Sequence, residues 1–295
     1  MFIISKENLS EKFFDNGTIF ISKKNSTKID KLSSSKIKNE FNKKGLLLLR
    51  NFKFNIKHFS KFTDKFSRAY ANDAIRRKLR FNKKNIRNVD SGLQKIDLHS
   101  EASFSPSVPD IIWFICISPP KKRGGRTTLC DGIKLWDKLD LKTKEFFLSN
   151  AIQYKLKIPF ENKIFNKKSR KWLLPHPGVR NCIINYKKSV IEFDYSRYAV
   201  NVTRKVDKLS FANHLFVTLK SEPQMIKRSL KNGKKIPFKI IKEIKEKSEL
   251  LTYNHEWKKN DIIMIDNKRF LHGREKISPN DKRDIVIIQT LKSNF

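Results

Sequence analysis

The sequence predicts a mixed α/β fold organised round an all-β core, and three observations carry that reading. The apolar run Ile111–Ser118 and the shorter one at residues 46–49 have strand length without polar alternation, as strands covered on both faces do. Segments with apolar residues three and four apart lie between such runs, at 29–44, 57–71 and 237–247, which is the spacing of amphipathic helices. A chain of 295 residues with 38% hydrophobic content can bury one substantial core, so one catalytic-size domain is expected over two small ones.

Taken in order, residues 1–35 read as a polar lead or edge hairpin with extended runs at 2–4 and 18–21, and 36–295 as the single domain. In 29–44, Ile29, Leu32, Ile37 and Phe41 sketch one helical face, and Gly45 stands where a left-handed cap closes a helix. Across 57–71, Phe59, Phe62 and Phe66 form a stripe that reads as core, not as a cofactor box. Asp131 is placed to cap a helix running to Leu139, and Asp140 another running to Asn150. Residues 154–181, basic and aromatic with Pro159, Pro175 and Pro177, read as an insertion or lid over the mouth of the core. Within it Arg170, Trp172 and His176 are candidate substrate contacts, as are Tyr195, Arg197 and Tyr198 further on, although a solvated basic loop is the favoured reading. Pro237 opens a helix with Ile240, Ile241 and Ile244 facing inward and Glu243 paired to Lys247. Asn260 tolerates a left-handed turn before the strand at 261–267. The last run alternates Arg283, Ile285 and Ile287 with Val286 and Ile288, a strand buried on both faces into which a charge enters.

The formal net charge of +36 would by itself suggest nucleic acid, acidic polymers or an anionic membrane surface as partners. The basic residues are spread through every segment, dense only at 163–171 and 231–247, and lysine excess travels with Asn, Ile and Phe, as drift toward A/T-rich codons produces. Weak nonspecific polyanion binding is therefore expected, and no specific nucleic-acid partner. Cys116, Cys130 and Cys182 are odd in number and widely spaced, which suggests neither a disulfide framework nor a cysteine zinc site and points to a reducing compartment. The amino-terminal apolar run is too short for a signal peptide and no stretch approaches a membrane span, so a cytoplasmic protein is expected. Oligomeric state is not legible.

The chemistry is concentrated in His99-Ser-Glu101 and His272-Gly-Arg274. In an extended strand alternate side chains share a face, so residues 99 and 101 would project together. His272, closing the pair from a neighbouring strand, would set two nitrogens and one oxygen on one side of a metal and leave the opposite positions open, the facial arrangement of non-haem Fe(II) oxygenases. Plainer readings stand beside these: a turn residue at His272, β-branched strand formers at Thr127 and Thr128, a solvated strand-edge charge at Arg283, and Asp266-Asn267 as a turn-shaping pair.

Three stretches, His99-Ser-Glu-Ala-Ser-Phe-Ser-Pro106, Arg123-Gly-Gly-Arg-Thr-Thr-Leu-Cys-Asp-Gly132 and Trp257 through Arg274, resemble in order and spacing the Fe(II)/2-oxoglutarate dioxygenases of the taurine dioxygenase superfamily. Glu101, where taurine dioxygenases usually have Asp, is similar to the clavaminate synthase-like branch, and Asn260 replaces the usual glycine. The resemblance implies a double-stranded β-helix, or jelly roll, flanked by helices. It implies His99, Glu101 and His272 as iron ligands, Thr127 (with Thr128 one register away) as a contact to a 2-oxoglutarate carboxylate, and Arg283 as the residue gripping the far carboxylate, which a planar guanidinium does with two parallel bonds. The implied reaction consumes O2 and 2-oxoglutarate and hydroxylates an unactivated C–H bond of an amino acid, a carrier-bound aminoacyl group or another small metabolite; relatives also desaturate or cyclise. A zinc hydrolase on the same ligands and a noncatalytic basic nucleic-acid-binding module are the alternatives.

Overall fold

A computed structural model describes residues 9–14, 17–23, 27–53, 55–71, 77–81, 83–90, 92–159, 176–204, 208–216 and 226–295. Strands dominate. The largest sheet runs in the order Leu9–Phe14, Gly17–Ser22, Leu46–Arg50, Ile262–Asp266, Ile111–Ser118, Asp284–Ser293, Lys83–Asn88 and Leu79–Arg80, with Ser67–Tyr70 also pairing to Asp284–Ser293. A four-stranded sheet has the order Tyr253–His255, Thr127–Asp131, Phe270–Arg274 and Ile96–His99, and another the order Val179–Asn185, Val190–Arg197, Ile152–Pro159 and Ile226–Leu230.

The apolar runs lack polar alternation because both faces of the large sheet are covered. Ile111, Trp113 and Ile115 pack on one side with Phe41, Phe59, Phe62 and Phe66. Their neighbours Ile112, Phe114 and Cys116 pack on the other with Leu129, Trp257 and Phe270. The same division separates Val286 and Ile288 from Ile285 and Ile287. Side chains still alternate in direction, but helices meet one set and the Phe270–Arg274 sheet meets the other.

Several elements differ from their sequence periodicity. The first helix is Ser34–Lys44, begun by Ser33, whose hydroxyl accepts from Lys36 N; Ile29–Lys31 is a separate 3-10 turn, cut off because Leu32 is extended. Gly45, at φ 69°, ends that helix as expected. The second helix stops at Asp64, because Ser67–Tyr70 leaves it to pair with Asp284–Ser293. Phe59, Phe62 and Phe66 are nonetheless fully buried, each against Trp113.

Asp131 caps Gly132–Lys138 by accepting from Ile133 N at 3.0 Å. Asp140 makes no such bond to Leu141–Ser149, since its carboxylate accepts from Lys247 at 2.7 Å. Pro237 precedes the helix Phe238–Leu250 instead of opening it; Ile244 is buried, Ile240 and Ile241 partly so, and Glu243 pairs with Lys247 at 2.7 Å. The amino-terminal hairpin joins Leu9–Phe14 to Gly17–Ser22, and its second strand lies parallel to Leu46–Arg50, so it is the edge of the large sheet. Residues 2–4, expected to supply a hairpin strand, lie outside the described residues. The expected insertion is bounded by the strands Ile152–Pro159 and Val179–Asn185, with 160–175 outside the described residues, Arg170 and Trp172 among them.

Cys116 and Cys130 are buried and unbridged, and burial pushes both thiols up to about 12. No helix among the described residues is long and apolar enough to cross a membrane.

Candidate active site

His99 ends one edge strand of the small sheet and His272 lies directly opposite it on the neighbouring antiparallel strand, with ring centroids 4.4 Å apart. Glu101 joins them by a different route from strand alternation. The strand stops at His99, and residues 101–104 form a turn in which Ala102 takes φ 52°. Asn267 holds that turn: its Oδ1 accepts from Glu101 N at 2.7 Å, and its Nδ2 donates to Glu101 O at 3.0 Å and Pro109 O at 2.9 Å. Ser100 Oγ adds a bond to Asn267 O at 2.7 Å. The Asp-Asn pair is thus structural, and what Asn267 structures is the site. Replacing Asn267 by Ala leaves a buried N–H and two carbonyls without their partner, so a loss of about 3 kcal/mol in folding free energy is expected, measured by urea unfolding.

The imidazoles are arranged to present lone pairs. His99 Nδ1 lies 2.9 Å from Asp97 O, which fixes the proton on Nδ1 and leaves Nε2 open. His99 Nε2 and His272 Nε2 lie 3.9 Å and 3.5 Å from Glu101 Oε2, and all three ligand atoms fall within 4.8 Å of one another. Burial, reinforced by His99, pushes His272 down to about 4, so it is neutral near pH 7. Burial also opposes charge on Glu101, but the Arg77 guanidinium at 3.2 Å, His272 and His99 outweigh it and hold the carboxyl well below the usual carboxylate range. Two imidazoles and one carboxylate, buried and converging, fit a divalent transition metal such as Fe(II).

The same cavity is lined by Thr127, Arg274, Arg283, Phe114 and Ile287. Arg283 Nε donates to Gly125 O at 2.7 Å and Nη2 lies 3.5 Å from Thr127 Oγ1; among the described residues no carboxylate pairs with it. Burial, with Arg274 beside it, lowers the Arg283 guanidinium to about 10. A largely buried cation whose partners are neutral is suited to a ligand's carboxylate. Arg274 is spent on the carbonyls of Asp90, Gly92 and Gln94. Of the two threonines, Thr127 lines this cavity, whereas Thr128 lines a groove that also includes Lys245 and Glu249 of the Phe238–Leu250 helix.

The further candidates among the described residues do not line this cavity. Tyr195 is buried in a core cluster, Tyr198 is 54% exposed, and Arg197 donates to Asn201 Oδ1 at 2.5 Å and Ser103 O at 3.5 Å. His176 accepts from Gly178 N at 3.2 Å and shapes a turn. Sequence reasoning passed over Arg77, one basic residue among 65, and Trp257, whose Nε1 donates to Thr127 Oγ1 at 3.0 Å. Trp257 stands in one of the motif stretches, and that position was its only signal.

A family model for taurine catabolism dioxygenase TauD, TfdA family, matches residues 21–289. A curated relative, 3-((Z)-2-isocyanoethenyl)-1H-indole synthase of Fischerella ambigua, is 22% identical over 201 residues, or 66% of this chain, and the match spans 63% of that relative's length. PvcB from Pseudomonas aeruginosa, an Fe, α-ketoglutarate-dependent oxygenase of an isonitrile synthetic pathway, superposes with TM-score 0.63 at 15% identity, covering 97% of this chain and 92% of its own. A taurine dioxygenase from Burkholderia xenovorans gives TM-score 0.61 at 11% identity, covering 96% and 89%. At these identities the two structures show a common fold.

Proposed function

Because this chain belongs to the taurine catabolism dioxygenase TauD, TfdA family, an Fe(II)- and 2-oxoglutarate-dependent dioxygenase, we propose that His99, Glu101 and His272 hold its ferrous ion and that Thr127 and Arg283 hold 2-oxoglutarate. One observation carries the assignment: three metal-ligand atoms within 4.8 Å of one another share a cavity with a partly buried arginine that has no carboxylate partner among the described residues. The hydrolase alternative, which leaves that arginine without a role, gives way. The packing of the large sheet against the Phe270–Arg274 sheet supports the double-stranded β-helix.

Held by His99, Glu101 and His272, iron would supply O2-dependent oxidation of a substrate C–H bond, coupled to decarboxylation of 2-oxoglutarate to succinate and carbon dioxide. The chain's own part is geometric. His99 and His272 offer Nε2 lone pairs, Glu101 supplies the one anionic ligand, Arg283 and Thr127 orient the cosubstrate's carboxylate, and Phe114 and Ile287 line the cavity with apolar surface. No side chain has to act as acid or base. The substrate we assign is an amino acid, a carrier-bound aminoacyl group or another small metabolite, hydroxylated at an unactivated carbon.

A second substrate reading rests on the isonitrile chemistry shared by the Fischerella relative and PvcB: an isonitrile-bearing amino-acid derivative, desaturated instead of hydroxylated. A panel of amino acids, their carrier thioesters and isonitrile derivatives, screened for substrate-stimulated succinate, tests both. Succinate that depends on Fe(II) and O2 is the expected result; turnover sustained by Zn(II) without O2 would overturn the assignment.

A further inference from the structure

The indole of Trp257 points to a task beyond packing, and it concerns which way the Thr127 hydroxyl faces. A hydroxyl has one proton to donate and two lone pairs with which to accept. Thr127 Oγ1 receives Trp257 Nε1–H at 3.0 Å and faces Arg283 Nη2 at 3.5 Å, so both lone pairs meet N–H donors. Neither nitrogen can accept in return. Thr127 is buried at 3% exposure and lines the cavity shared with the His99, Glu101 and His272 site. Its own proton is thereby left to point at whatever enters that cavity.

We propose that Trp257 is a positioning residue that makes Thr127 an obligate hydrogen-bond donor, so that the pocket accepts an ionised carboxylate and rejects a neutral group offering a proton. The inference rests on the assignment of Thr127 and Arg283 to 2-oxoglutarate. The indole is itself held. His255 stands edge-on to it with ring centroids 4.5 Å apart, and His255 Nε2 lies 3.4 Å from Asp261 Oδ2. Asp261, fully buried, accepts from Arg50 Nε at 2.8 Å and Nη2 at 2.6 Å and from Lys258 N at 2.8 Å. The orientation of one N–H thus depends on an ion-paired cluster behind the small sheet.

The test is a double-mutant cycle on 2-oxoglutarate binding, measured by calorimetry on the Mn(II)-loaded full chain, where no turnover occurs. Trp257→Phe keeps an aromatic ring and removes the N–H, and a three- to ten-fold rise in Kd, about the value of one hydrogen bond, is expected. Thr127→Val is expected to weaken binding about ten-fold or more through loss of a charge-assisted bond. In the Thr127→Val background Trp257→Phe should then cost less than about two-fold, because its route is gone. An unchanged Kd for Trp257→Phe, or its full effect persisting in the Thr127→Val background, overturns the proposal. Should Trp257→Phe fail to fold, Thr127→Ser and Thr127→Val decide: Ser is expected within about two-fold of the parent and Val not, and equal affinities sink the idea. If the unsubstituted protein does not bind 2-oxoglutarate, the cosubstrate assignment itself has failed.

Discussion

Glu101→Ala protein is expected to lose more than about 100-fold in Fe(II) affinity, beyond what loss of an outer partner of a metal ligand costs. Glu101 is the sole anion of the proposed three-ligand set, and it is held ionised against burial by Arg77 at 3.2 Å and by both histidines. Removing it does more than subtract one ligand. It leaves the Arg77 guanidinium, paired on its other side with Asp90 at 2.9 Å, facing the two imidazoles across the place of the lost carboxylate. A cation then meets repulsion where it met attraction. Glu101→Gln separates the two contributions: it keeps an oxygen of similar reach, so its affinity should fall between parent and Ala. Metal titration by calorimetry checks the order, and normal metal binding by Glu101→Ala would remove residue 101 from the ligand set.

Arg283→Leu is expected to raise the Kd for 2-oxoglutarate by about 30- to 1000-fold, the cost of truncating one partner of a buried charge pair. The free protein should respond in the opposite direction. Without a ligand Arg283 is a desolvated cation bonded to Gly125 O, lowered to about 10 by burial and by Arg274. Replacing it with an apolar side chain is neutral or stabilises the unliganded fold by about 1 kcal/mol. Paired thermal melts with and without 2-oxoglutarate show the crossing directly: Tm unchanged or higher without it, and the ligand-induced rise lost. Arg283→Lys should retain part of the affinity, since a point charge cannot make two parallel bonds to one carboxylate. Equal ligand-induced shifts in parent and Leu variant would count against the role.

The strands were legible because burial on both faces leaves uninterrupted apolar runs, and Ile111–Ser118 was bounded to the residue. The residues of the site were legible as chemistry but only partly as geometry. His99 and Glu101 were expected on one strand, whereas the chain turns between them through a left-handed alanine. Alanine gives no warning of that conformation, as glycine or asparagine would; the turn is imposed by Asn267, 166 residues away. Thr127 and Thr128 could not be separated by type, because only the strand's facing decides between them. Arg77 was invisible for a related reason: a guanidinium in a lysine-rich chain acquires meaning only from what it faces. Helix ends failed where pairing intervened, as when Ser67–Tyr70 left the helical stripe for the sheet.

The turn at Ala102 has a mechanical consequence. His99 and His272 ride on the small sheet, whereas Glu101 is tied through Asn267 to the end of the Ile262–Asp266 strand of the large one. Two proposed ligands with one residue between them in sequence are therefore moored separately, one on the small sheet and the other at the turn that leaves the large sheet. An ion bound by all three would act as a rivet between those moorings: any relative movement of the two sheets would stretch the coordination and be resisted by it, so that occupancy and rigidity of the interior would rise together.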